Sequence, residues 1–115
     1  MFSFFRRYDT DSPYADPARL QGLIAGDEPG LLVDVRTVEE YASGHIPGAL
    51  SIPVAEIRVR PPAAAPDDLI VVYCHSGARS TSAKKILTLS GFTNVVNFGA
   101  IKRWTGDLAF GEAVS

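Results

Sequence analysis

The stretch Leu69-Ile70-Val71-Val72-Tyr73-Cys74-His75-Ser76-Gly77-Ala78-Arg79 decides how this chain is read. Its first five residues form an apolar run without alternation. Such a run predicts a strand covered on both faces, as in a parallel sheet. A polar turn containing Gly77 follows, and then a helical pattern from about Arg79 to Ser90. In that helix Ala83, Ile86, Leu87 and Ser90 are expected to face the sheet, Lys84 and Lys85 to face water, and Gly91 to end it. Cys74 therefore falls at the carboxyl end of a buried strand, where α/β sheets bind their ligands.

The same alternation extends outward in both directions. Upstream, Asp16 and Pro17 open a helix that Gly26 can close, with Leu20, Leu23 and Ile24 as its apolar stripe. Leu31-Leu32-Val33-Asp34-Val35 predicts a second buried strand. Thr37 and Glu40 have the spacing of a capping box and start a short helix that Gly44 can end. Ala49-Leu50-Ser51-Ile52 predicts a weaker strand. Downstream, Thr93-Asn94-Val95-Val96-Asn97-Phe98 predicts a strand, with Gly99 turning the chain into a short helix around Ile101 and Trp104. Strands alternating with helices argue for an α/β domain with a mostly parallel central sheet and helices on both faces.

Composition agrees with one domain. The chain has 115 residues, 46% hydrophobic, with a net charge of -2 and a single cysteine. It is too apolar for a disordered protein. One cysteine excludes an internal disulfide and a Cys-rich metal site. Eleven basic residues against 13 acidic ones give no general support for nucleic-acid binding. No apolar run approaches the roughly 20 residues of a membrane span. Met1-Phe2-Ser3-Phe4-Phe5 is apolar, but Arg6 and Arg7 follow it rather than precede it, unlike a secretory signal. The expected location is the cytoplasm, with the thiol reduced. Residues 1–12 are read as an arm or edge strand, 13–108 as the domain and 109–115 as a tail. Arg60-Pro61-Pro62-Ala63-Ala64-Ala65-Pro66 is read as a surface connection inside the domain.

A lone cysteine in an apolar strand is ordinarily inert core. The loop after Cys74 argues otherwise. The amides of Ser76, Gly77, Ala78 and Arg79 are expected to point inward, helped by the backbone freedom of Gly77. With the helix N-terminus they would form an anion-binding nest, and Arg79 would add a positive charge. That setting favours a reachable thiolate and nucleophilic sulfur chemistry. The spacing C-x4-R is one residue shorter than the C-x5-R loop of tyrosine-phosphatase-type enzymes. It should enclose an added sulfur atom better than a phosphate, which argues against a phosphatase or arsenate reductase.

At this point the chain resembles a single-domain rhodanese, of the thiosulfate sulfurtransferase family. Asp34-Val35-Arg36 with Glu40-Tyr41, Gly44-His45-Ile46-Pro47-Gly48-Ala49, Val72-Tyr73-Cys74 through Arg79-Ser80, and Gly99-Ala100-Ile101 with Trp104 resemble the family's motifs in order. The resemblance implies that Cys74 is the catalytic nucleophile and carries a persulfide. It implies substrate binding by His75, Ser76, Gly77, Ala78 and Arg79, and no metal or organic cofactor. The partners it implies are a small-molecule sulfur donor such as thiosulfate and an acceptor that is cyanide, a thiol or a protein. With one cysteine, the acceptor must come from outside. A sulfur relay or protein-binding module with little free-substrate turnover is the alternative reading.

Supporting roles are expected for other residues. Asp34 and Arg36 read as a hydrogen-bonded pair fixing nearby loops, and Glu40 as a cap and charge partner. Some thiosulfate-using members of the family have a basic side chain where Glu40 stands, which counts against thiosulfate as the true donor. Ser76 and Ser80 are candidate hydroxyl donors. His75 is expected at the pocket mouth, tuning specificity. His45 and Trp104 are read as structural, and Arg58 and Arg60 as a solvated pair.

Overall fold

The two most apolar segments of the chain lie side by side in the middle of a parallel sheet. The computed structural model describes residues 7–113. Its strands are β1 (Leu31–Asp34), β2 (Leu50–Ser51), β3 (Ile70–Cys74) and β4 (Val95–Ala100), ordered β2-β1-β3-β4. Every pairing among these four strands is parallel. The helices are α1 (Pro17–Ile24), α2 (Val38–Ala42) and α3 (Ala78–Leu89), with short 3-10 turns at Pro13–Ala15 and Ile101–Arg103.

Alternation along β3 explains why that strand is apolar throughout. Val71 and Tyr73 point to one face, where they pack with Leu20 and Leu23 of α1 and Tyr41 of α2. Ile70, Val72 and Cys74 point to the other, where they meet Ala83 and Leu87 of α3. Leu20 and Leu87 are fully buried, so truncating either to alanine should cost about 2–5 kcal/mol.

Local signals set the helix ends. The Asp16 carboxylate accepts from the Ala18 N–H at 2.9 Å, and Pro17 occupies the first turn of α1. The Thr37–Glu40 capping box forms in full, Thr37 Oγ1 accepting from Glu40 N–H and Glu40 Oε1 from Thr37 N–H. Gly77 precedes α3 with φ 96°, a conformation that only glycine adopts without strain.

Three expectations shift. Ser90 does not face the sheet: it is exposed, one residue past α3, and its hydroxyl donates to Ile86 O. Its place on the buried face is taken by Ser80. Residues 93 and 94 lie outside β4, and Thr93 N–H donates to Pro66 O in the preceding connection. At the other end β4 continues through Gly99 to Ala100. Val72 pairs with Asn97 while Tyr73 pairs with Gly99, so one extra residue is accommodated as a bulge, with Gly99 at φ 94°.

The first and last described segments both dock on the domain. Asp9 exchanges hydrogen bonds with the Asn97 backbone, and its carboxylate also takes Lys84 at 2.6 Å. Residues 7–12 form no strand, and residues 1–6 of the expected arm lie outside the described residues. Ala109 pairs antiparallel with His45, so the chain stays docked past residue 108.

Candidate active site

The sheet order brings three sequence motifs to one place. β1 and β3 are neighbours, and Asp34 lies level with Tyr73, one residue short of Cys74. The loops after both strands therefore meet at their carboxyl ends. β4 leads into the 3-10 turn at Ile101–Arg103 on the same side, completing the rim.

Cys74 is fully buried. The Gly77 N–H donates to its Sγ at 2.9 Å, and the Cys74 thiol points to Ser80 Oγ at 3.4 Å. Ser80 is itself buried, and its hydroxyl donates to Gly77 O at 3.2 Å. Two parts of the expected nest differ. Among the described residues one loop amide, that of Gly77, reaches the sulfur, rather than a ring of four. The sulfur is also covered, because Cys74 continues the β3 alternation and turns toward α3 with Val72. His75, Ser76 and Ala78 are exposed around this closed centre.

Arg79 does not stand free beside the thiol. Its guanidinium forms a two-pronged pair with Glu40, Nη1 to Oε1 at 2.7 Å and Nη2 to Oε2 at 2.9 Å. Hydrogen bonding from Arg79, more than any other cause, pulls the Glu40 carboxyl down to about 2. Glu40 in turn raises Arg79 above its ordinary value, with smaller Coulombic contributions from Cys74 and Asp34. Glu40 thus closes a helix cap, pairs with Arg79, and offsets the charge expected to favour an anion.

Asp34 and Arg36 form a second, buried pair. Arg36 Nη2 donates to Asp34 Oδ2 at 2.8 Å and to Gly44 O at 2.7 Å. Arg36 N–H and Nε also donate to the Asp34 carboxylate. Both side chains are buried, so removing one partner should cost about 3–5 kcal/mol. Burial, then Asp34, push the neighbouring Tyr73 hydroxyl well above the ordinary range. That hydroxyl accepts the Ile46 N–H at 3.0 Å, tying the 44–49 turn to β3. His45 stacks on Tyr41 and uses Nδ1 on Tyr41 O at 2.8 Å.

A groove of about 550 Å³ opens beside the loop, lined by Arg36, Glu40, His75, Ile101, Lys102, Trp104 and Leu108 among others. Trp104 is buried as expected, with Nε1 donating to Asp107 O, yet it also forms a groove wall. Lys102 is a groove residue that the motifs do not single out. It is exposed and, among the described residues, has no ion-pair partner. The strand-end rule that located Cys74 could have found it, since it follows β4 on the same rim. Arg58 and Arg60 lie on the β2–β3 connection, where Arg60 pairs with Glu56, and neither lines this groove. Among the described residues there is no helix long and apolar enough to cross a membrane.

This arrangement has counterparts. The rhodanese-like domain family matches residues 16–107. The Escherichia coli thiosulfate sulfurtransferase PspE is 43% identical over 72 residues, covering 61% of this chain and 69% of that protein. The human thiosulfate:glutathione sulfurtransferase is 33% identical over 108 residues, covering 81% of this chain and 93% of that one. A solved E. coli rhodanese with anions superimposes with a TM-score of 0.66 at 33% identity, over 71% of this chain and 99% of the other. Fold, motif order and sequence similarity agree, and the chain belongs to the family of rhodanese-like domains.

Proposed function

We propose that this protein is a sulfurtransferase that carries a sulfane sulfur on Cys74. The observation that carries the reading is the Gly77 N–H, 2.9 Å from Cys74 Sγ at the carboxyl end of β3. A preorganised amide at a sulfur stabilises the anion on which the chemistry depends. Relatives named for thiosulfate support that molecule as a donor, and the human relative's name supports a small thiol as acceptor.

The atoms balance in two displacements. The Cys74 thiolate attacks the outer sulfur of thiosulfate, the sulfur–sulfur bond of the donor breaks, and sulfite leaves with the bonding pair. Cys74 then holds a persulfide whose terminal sulfur carries the negative charge. An acceptor attacks that sulfur; cyanide leaves as thiocyanate, or a thiolate leaves as a persulfide, and the Cys74 thiolate returns. Cys74 is the chain's one cysteine, so no second thiol of this chain can take the sulfur. Because Cys74 is covered, its surroundings must open to admit the donor.

Intact-protein mass spectrometry tests the reading. Thiosulfate should add the mass of one sulfur atom, cyanide should remove it, and Cys74→Ser should abolish both. Thiocyanate formation at the parent rate by Cys74→Ser would overturn it.

A further inference from the structure

Asn97 is a polar side chain inside an apolar sheet, 3% exposed. Its bonding capacity is spent on three separate pieces of the molecule. Nδ2 donates to Arg7 O at 3.2 Å and to Thr81 Oγ1 at 3.1 Å, while Oδ1 accepts from Gly99 N–H at 2.9 Å. Thr81 passes its own proton on, donating to Gly77 O at 2.7 Å, the shortest of three bonds that this carbonyl accepts, the others coming from Thr81 N–H at 3.1 Å and Ser80 Oγ at 3.2 Å. Gly77 is the residue whose N–H holds the Cys74 sulfur.

The N-terminal segment completes this brace. A Cβ on Gly77 would lie 2.4 Å from Arg7 Cβ and 2.7 Å from Arg7 O, so the Arg7 backbone presses directly on the Gly77 Cα. Asp9 pins that segment to β4 through the backbone of the same Asn97. Glycine is the residue least able to hold its own φ and ψ. Its N–H and C=O belong to different peptide planes, and their relative direction is set by those two angles. Holding the carbonyl from Thr81 and Ser80 and the Cα from Arg7 fixes where the N–H points.

We infer that Asn97 is a positioning residue for sulfur transfer: it joins the Arg7 carbonyl to the Thr81 hydroxyl across the back of the loop and so aims the Gly77 N–H at Cys74. This rests on the reading of Cys74 as the sulfur carrier. It makes the N-terminal segment part of the support for the reacting sulfur. It also accounts for glycine at Gly99, where a Cβ would lie 2.7 Å from the same Arg7 oxygen.

The test compares Asn97→Asp and Thr81→Val with Thr81→Ser in the full chain. Aspartate keeps the acceptor for Gly99 but donates to neither Arg7 nor Thr81, and it competes for the Thr81 proton. Valine removes the Thr81 hydroxyl at an exposed position, so the variant is expected to fold even if Asn97→Asp does not, and thermal unfolding checks this. Two readouts are taken: thiosulfate-to-cyanide turnover, and hydrogen exchange of the Gly77 amide by NMR. Asn97→Asp and Thr81→Val should lower kcat about tenfold while KM for thiosulfate stays within about twofold. The Gly77 amide should exchange about tenfold faster in both, and Thr81→Ser should restore both readouts. Parent-like kcat and Gly77 protection in folded Thr81→Val would overturn the inference. So would losses that Thr81→Ser does not rescue. If the parent transfers no sulfur, the function reading fails, and Gly77 exchange alone still decides the brace.

Discussion

Arg79 and Glu40 meet side by side, both guanidinium Nη atoms on both carboxylate oxygens at 2.7 and 2.9 Å. The pair joins the first turn of α3 to the first turn of α2, across the rim that holds Cys74. It also cancels a positive charge where an anionic donor would arrive. Lys102 is left on the groove wall as a cation without a partner among the described residues.

The first prediction concerns donor recognition. Glu40→Gln should release the Arg79 charge and lower KM for thiosulfate about threefold to tenfold, more at low salt than at high. Lys102→Ala should move KM in the opposite direction. Steady-state thiocyanate formation at two ionic strengths checks both. A rise in KM for Glu40→Gln would mean that the pair serves to hold Arg79 in place and does not restrain anion binding.

The same carboxylate predicts a pH dependence of stability. In the folded protein Glu40 sits at about 2, below its ordinary 4.5. A lowered carboxyl binds its proton less readily folded than unfolded, so its contribution is complete above about 4.5 and is lost as pH falls toward 2. The stability difference between the parent and Glu40→Gln should be flat at neutral pH and shrink through that window. Urea unfolding at a series of pH values measures it, and a difference that persists unchanged at the acid end would contradict the assignment.

Gly77→Ala separates backbone strain from close approach. Any L-residue at φ 96° is strained, and at this site the new Cβ also runs into the Arg7 backbone. Gly91→Ala is the control, at φ 106° with nothing within 4 Å. Gly91→Ala should cost about 1 kcal/mol and Gly77→Ala about 2–4 kcal/mol. Thermal unfolding reads the two losses, and equal losses would place Arg7 elsewhere in solution.

These cases mark what the sequence reveals and what it withholds. The β3 run, the Thr37–Glu40 box and the Cys74 loop are legible because each is local: strand burial, caps and turns are written within a few residues. Glu40 is readable as a cap, but its Arg79 partner lies 39 positions away and depends on how α2 and α3 dock on the sheet. The bulge at Gly99 is hidden for a similar reason. Glycine announces an unusual backbone, yet whether it ends a strand or bends one depends on the neighbouring strand's register. Asn97 reads only as a polar interruption in an apolar strand, because its partners come from residues 7, 81 and 99. The covering of Cys74 follows from which face of β3 it takes, which the run of apolar residues on both faces leaves open.

That covering yields the last prediction. A reagent reaches Cys74 only when its surroundings open, since the side chain is fully buried with Gly77 N–H and Ser80 Oγ against it. A narrow opening admits a slim reagent and stops a broad one. Cys74 is the chain's single cysteine, so modification can be followed without ambiguity. Iodoacetamide should label it within about tenfold of an unhindered cysteine, and a bulky aromatic disulfide such as dithiobis(nitrobenzoate) should lag by about a hundredfold or more. Prior loading with sulfur from thiosulfate should move alkylation to the terminal sulfur, giving a product heavier by that atom. Equal rates for slim and broad reagents would mean that the thiol stands open in solution, and that the covering of Cys74 does not select donors by width.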